Sequence, residues 1–141
     1  MSNSVPQIIK KVGFDFWWDE KKVWKLDILA TSMNIEELTW HLDYPFWDEN
    51  NGRYNLKPID VIKFPEQHQI EYQRILESDL SHPIDIMENK HRWLILDGLH
   101  RLTKAVINSQ KSISVRIIPR ERIPEILHDR AIAEKDPGSM R

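Results

Sequence analysis

Polar and apolar positions alternate with a period of two through Ile84-Asp85-Ile86, and again from Ser112 to Ile118, where Ile113, Val115 and Ile117 share one side. Both runs predict strands. Trp93-Leu-Ile-Leu96 is apolar on both faces, the pattern of a central strand, and Glu88-Asn89-Lys90 before it reads as a hairpin turn. Between the last two strands the period changes: Leu99, Leu102, Ala105 and Val106 recur at helical spacing to about Ser109, with Asp97 in the N-cap position. A last helix is predicted from Ile123 or Pro124 to Glu134, followed by a tail from Asp136 to Arg141.

Upstream the signals are shorter. Phe14 to Trp18 and Val23 to Ile28 read as a hairpin across Asp19-Glu20-Lys21-Lys22. Asn34 is placed as the N-cap of a short helix, with Glu37 three residues on, Ile35, Leu38 and Leu42 along one face, and Pro45 as its end. A turn covers Asp48 to Arg53, an edge strand Lys57 to Ile62, and a helix Pro65 to Ser78 that buries Tyr72, Ile75 and Leu76. This order predicts a small mixed α/β, or α+β, domain. Its organisation is a Trp-rich N-terminal extension, residues 1–55, packed on a single compact unit, residues 56–141.

Composition narrows the chemistry. At 141 residues the chain buries a core without staples, and the absence of cysteine removes disulfides, thiolate metal sites and thiol catalysis. No run is apolar and long enough to span a membrane, and the N-terminus lacks the apolar core of a signal peptide, which together predict a cytoplasmic protein. Net charge is -2, so no global field draws nucleic acid. Charge is nonetheless segregated. Arg92 to Arg122 carries seven Lys or Arg against Asp97 and Glu121, whereas Asn34 to Asn50 carries five acids and no Lys or Arg. A solvated face explains such a basic run, and so does a pocket for a compact anion.

The strand-to-helix turn Asp97-Gly-Leu-His-Arg101 holds the residues such a pocket needs. A helix N-terminus offers free amides and the positive end of a dipole, Gly98 lets a ligand approach the backbone, and His100 and Arg101 add donors suited to phosphate oxygens. Asp97 has two readings: a helix cap, or a group beside the phosphate that takes a hydroxyl proton or helps hold Mg2+.

With its flanking strands, Pro83 to Ile86 and Ile113 to Ile117, and Lys104-Ala105 in the helix, this turn resembles the ParB/sulfiredoxin superfamily from about Leu56 to Pro119. The resemblance implies a ParB/sulfiredoxin-like sheet flanked by helices and a nucleotide-phosphate site at the helix start. Sulfiredoxins carry a catalytic cysteine where Leu99 stands, which excludes sulfinic-acid reduction here. Chromosome-partitioning members bind CTP and continue into DNA-binding and dimerisation domains, which this length disfavours. The turn is most similar to the DGHHR of free-serine kinases, with Leu99 in place of the first histidine. Carried over, Asp97 is the catalytic base, Gly98, Leu99, His100 and Arg101 bind phosphate with Lys104 and Arg74, and Glu66 holds the substrate. The expected cofactors are a nucleotide (ATP, ADP or CTP) and Mg2+, and the expected partner is a small hydroxylated metabolite.

Each residue also has a plain reading: Arg74 as a surface partner of Glu71 or Glu77, and Lys104 as a solvated lysine. His82, His91 and His100 are not a metal set, because nothing places them on one side of a pocket. Trp17, Trp18, Trp40 and Trp47 are read as packing the N-terminal portion onto the sheet, with a nucleotide lid from Trp40 to Trp47 as the alternative. Three functions are consistent with these residues: a nucleotide-dependent kinase, a non-catalytic nucleotide-sensing or interaction module, and a ParB-like DNA-associated or nuclease activity.

Overall fold

The computed structural model describes residues 5–129. It is a small mixed α+β fold in which four strands, β1 (Ala30–Asn34), β2 (Ile84–Asn89), β3 (Arg92–Asp97) and β4 (Ser112–Ile117), form one sheet in the order β1-β4-β2-β3. β2 and β4 are parallel, joined through the intervening helix, and the outer pairs are antiparallel. The helices are α1 (Gln7–Lys10), α2 (Glu20–Trp24), α3 (Pro58–Lys63), α4 (Gln69–Glu77), α5 (Leu99–Ile107) and α6 (Ile123–Ile126).

Alternation in β2 and β4 sends side chains to two cores. Ile84, Ile86, Ile113 and Val115 face α5, where Leu102 and Ala105 meet them. Met87, Leu96 and Ile118 pack on the other side with Phe16, Val23, Leu26 and Ile126, beneath α2 and α6. A third cluster, Trp47, Leu56, Val61 and Ile75, fixes α3 and α4 outside α5. Leu99 touches both the α5 core and this outer cluster.

The hairpin, the long helix and the final strand match the periodicity. The hairpin turn falls later than expected: Glu88 and Asn89 still pair with Trp93 and Arg92, and Lys90 and His91, both with positive φ, form the two-residue connection whose twist suits the strands. Other expectations change. Val23 forms part of a helix and not of a hairpin: Asp19 caps α2 by accepting from the Lys21 amide, and Asp-Glu-Lys-Lys lacks the Gly or Asn that a tight hairpin needs. Lys57 to Ile62 is not an edge strand but largely the helix α3, with Pro58 in its first turn. Asn34 does cap, accepting from the Glu36 amide, but the residues after it form 3-10 turns, Ile35–Glu37 and Thr39–Asp43, instead of an α-helix. The Pro65 helix begins as a 3-10 turn, Pro65–Gln67, and becomes α-helical only at Gln69. α6 stops at Ile126 because Leu127 is extended and bridges Trp18; the predicted continuation to Glu134 and the tail lie beyond the described residues.

β3 is an edge strand and not a central one, although both its faces are covered. Side chains take over the backbone work of a neighbour. Trp40 Nε1 donates to the Trp93 carbonyl (3.3 Å), the Ile95 amide donates to His41 Nε2 (3.1 Å), and Trp18 Nε1 donates to the Leu96 carbonyl (2.9 Å), at the bulge where β3 slips one residue against Asp85 and Ile86. His41 is almost wholly buried, 1% exposed, and its Nδ1 donates to the Leu38 carbonyl at 2.7 Å, so Nε2 accepts and the ring is neutral.

Burial, with Arg92 nearby, lowers His41 from its ordinary 6.5 to about 4, against the pull of the Leu38 carbonyl. Above pH 6.5 the ring is neutral folded or unfolded, and its contribution to stability is complete. As pH falls toward 4, only the unfolded chain takes up the proton, and about 3 kcal/mol is lost. Urea midpoints should therefore fall between pH 6.5 and 4, and the margin of wild type over His41→Leu should narrow across that window. A margin constant from pH 7 to 4 would show that His41 does not carry the effect.

Candidate functional site

The site is built from the end of β3 and the start of α5. Gly98 is the N-cap of α5, with φ +122°, a region that L side chains rarely adopt. A Cβ there would stand 3.1 Å from both Cγ atoms of Ile84 and 3.1 Å from the Arg101 guanidinium. Asp97 is not the helix cap, and α5 has no side-chain cap at all. The turn at Gly98 aims the Asp97 carboxylate toward α2, where Oδ2 accepts from Trp24 Nε1 at 2.8 Å and from Arg101 at 2.9 Å. First-turn amides that an aspartate cap would have used are left to other acceptors.

Behind Asp97 runs a polar row across the sheet. Asp85 is paired with Asp97 on one side and with Arg116 on the other. Arg116 Nε donates to Asp85 at 2.6 Å, and its other nitrogens donate to the carbonyls of Leu26 (2.8 Å) and Val23 (2.9 Å), tying the end of α2 to the sheet. Burial pushes the Asp85 carboxyl up despite Arg116. The same tether brings Glu20 to the site. Partial desolvation of its carboxyl, then the charge of Asp97, raise the Glu20 pKa, with Arg101 pulling the other way. Glu20 and Trp24 are site residues that sequence reasoning missed, and Glu20 could have been placed. Its signal was Asp19 as an N-cap, with Val23 and Leu26 three apart, which puts Glu20 in the first turn of a helix.

The second side of the turn is formed by α4. His100 stacks on Trp47, centroids 4.5 Å apart and 16° between planes, and its Nε2 lies 3.4 Å from Glu71 Oε2. Glu71 is buried and also accepts from Arg74 at 3.1 Å, so Arg74, Glu71 and His100 form one chain of contacts. Burial lowers the His100 pKa, and Glu71 opposes it. Lys104 points elsewhere, donating to the carbonyls of Leu76 (2.8 Å) and Ser78 (2.7 Å), where it closes the end of α4. Leu99 turns its side chain into the cores and leaves only its backbone to the turn. Glu66 is exposed in its 3-10 turn, and among the described residues no hydrogen bond or ion pair joins it to Asp97–Arg101.

Trp47 thus forms a wall beside His100, whereas Trp40 packs on β3 with Arg92 over its ring at 4.4 Å. Trp17 is not packed; it is 56% exposed. Two surface depressions lie away from the turn, one beside β1 and one among Glu37, Trp40, Glu88, His91, Arg92 and Trp93. Among the described residues no group of three or more His, Asp or Glu is placed to hold a metal ion, and no helix is long and apolar enough to cross a membrane.

No family model matches the chain, and no solved structure matches it. Among curated proteins, 66 residues are 33% identical to the hemocyanin B chain of Astacus leptodactylus, over 47% of this chain and 11% of that protein. A stretch of 73 residues is 36% identical to the hemocyanin A chain of Panulirus interruptus, over 50% of this chain and 11% of that protein. The chain spans about a tenth of the length of these relatives.

Gly98→Ala tests the geometry of the turn. It should cost about 1–3 kcal/mol in urea unfolding, since the new methyl meets a strained backbone and Ile84 together. An unchanged midpoint would mean that the turn relaxes freely.

Proposed function

We propose that this chain binds a nucleotide at the Gly98–Arg101 turn and transfers a phosphoryl group to a small hydroxylated metabolite, like the ParB/sulfiredoxin-type serine kinases it resembles in sequence. The observation that carries the reading is that the Asp97 carboxylate is not spent as a helix cap; it stands beside an uncapped helix start, held by Arg101 and Trp24. A carboxylate so placed can take the proton of an attacking hydroxyl as the new P–O bond forms and the bond to the leaving nucleotide breaks.

The charge balance gives the order of events. Arg101 is neutralised by Asp97, so a phosphate competes with the carboxylate for the guanidinium, and an Asp97 that loses it needs another cation. Asp97 with Glu20 is a pair of hard oxygen donors, fitting Mg2+, which takes one or two carboxylates together with substrate phosphates. The ion would screen these acids from the phosphates. Arg74, 63% exposed at its side chain and anchored by Glu71, flanks the turn as a second guanidinium, while Glu71 and Trp47 fix the ring of His100.

The Asp97–Arg101 pair also supports a second reading, a nucleotide-sensing module in which exchange of that pair is the switch and no phosphoryl group moves. Melting temperatures with ATP, ADP and CTP, with and without Mg2+, alongside mass spectrometry of a hydroxylated-metabolite panel, separate the two. For a kinase, nucleotide raises Tm and product forms; Asp97→Asn lowers turnover at least about 100-fold while keeping the Tm shift, and Arg101→Ala loses both. A Tm shift without product at any acceptor selects the module. No shift with any nucleotide rejects both readings.

A further inference from the structure

The two edges of the sheet are finished differently. Along β3 the outward backbone groups are met by Trp40, His41 and Trp18. β1 has no such cover. The Ile35 amide donates to the Lys111 carbonyl, which sets the phase of the β1–β4 ladder: Thr31 and Met33 exchange hydrogen bonds with Val115 and Ile113. The N–H and C=O groups of Ala30, Ser32 and Asn34 therefore point away from the sheet, and among the described residues no hydrogen bond fills them.

β1 also lacks the features that protect bare edges. Ala30-Thr-Ser-Met-Asn34 contains no proline and no charge, and its register against β4 runs without a bulge. Leu29, immediately before it, is 90% exposed.

We propose that β1 is a dimerisation edge, which pairs antiparallel with β1 of a second copy of this chain to make a continuous sheet of twice four strands. A two-fold axis at Ser32 sets Ala30 opposite Asn34 and Thr31 opposite Met33. In that register every outward-pointing residue meets another outward-pointing residue, so donors and acceptors match with no slip. All five side chains are uncharged, so no like charges meet across the axis. Thr31 and Met33 lie beside Val115 and Ile113, and the core face continues through the junction.

The same register sets Leu29 across from Ile35 of the other copy. The depression of about 480 Å³ beside β1 is lined on the strand by Ala30, Thr31 and Ser32, with Leu80, Gln110 and Ile113 behind them and no charged side chain, and the register brings Met33 of the other copy beside it. The edge and the depression thus fit the same occupant, a second β1. This inference stands apart from the nucleotide reading, since β1 contributes nothing to the Asp97–Arg101 turn.

Sedimentation velocity of the full chain from micromolar to submillimolar concentration, with hydrogen exchange at the same concentrations, tests it. The expected result is a species of twice 16.9 kDa whose Ala30, Ser32 and Asn34 amides gain protection as concentration rises. Ser32→Lys, which sets two like charges on the axis at an exposed position, and Leu29→Asp should each return a monomer with the melting temperature of dilute wild type. Wild type that remains monomeric throughout overturns the proposal. So does a dimer that survives Ser32→Lys, or protection of the three amides that does not depend on concentration, which would assign the edge to a segment of the same chain.

Discussion

The ion pair between Arg116 and Asp85 holds the parts of this molecule in their relation to one another. Side-chain exposure is 12% for Arg116 and 4% for Asp85, so neither charge has water to fall back on. Such a pair is costly to assemble and costlier to break, about 3–5 kcal/mol when one partner is removed. Arg116 offsets its burial by filling three acceptors on two elements: the carboxylate in β2 and two carbonyls at the end of α2. α2 is only five residues long and gains its position from this anchor rather than from its own helical propensity. That anchor sets the places of Trp24 and Glu20, and so the electrostatics around Asp97.

Cationic side chains of the proposed site are matched in the same manner. Arg101 has Asp97, Arg74 has Glu71, and Lys104 has the carbonyls that end α4. In the basic stretch seen in the sequence, Arg101, Arg116 and Arg122 are in ion pairs, Lys104 closes a helix end, Arg120 donates to the Glu88 carbonyl and Arg92 lies over the Trp40 ring. An anion at Gly98 that recruits the Arg101 guanidinium competes with Asp97 for it. Its affinity is the difference between two charge-assisted contacts, not the full strength of one.

Legibility in the sequence followed contact distance along the chain. The β2–β3 hairpin, α5 and β4 are consecutive, and their periodicity is enforced by burial on known faces, so Ile84, Ile86, Leu102 and Val115 could be placed by pattern. β1 could not. Its five residues are mostly exposed, carry little strand propensity, and are a strand only because β4 lies alongside, some 80 residues later. α3 was misread because Pro58-Ile-Asp-Val-Ile62 resembles the alternation of a strand, while Pro58 and Val61, three apart, decide which way the segment is buried. At the site, the turn and its Asp, Gly, His and Arg were visible; their partners Glu20, Trp24, Trp47 and Glu71 come from other elements, and no local pattern shows that they meet the turn. Both faces of β3 are covered, Leu94 and Leu96 buried and Trp93 and Ile95 half-buried, but its rank in the sheet was misread, because two tryptophans and a histidine stand in for the missing strand.

Trp24 gives the molecule a built-in optical probe. Its indole is half in water, 54% exposed, yet its N–H rests on the Asp97 oxygen that also accepts from Arg101. Whatever changes the charge or the partner of that oxygen changes the excited state of one fluorophore, and subtraction of a Trp24→Phe signal isolates it from the other five tryptophans. The emission colour of a single ring thereby reports, without any label, whether the carboxylate is holding arginine or has let it go.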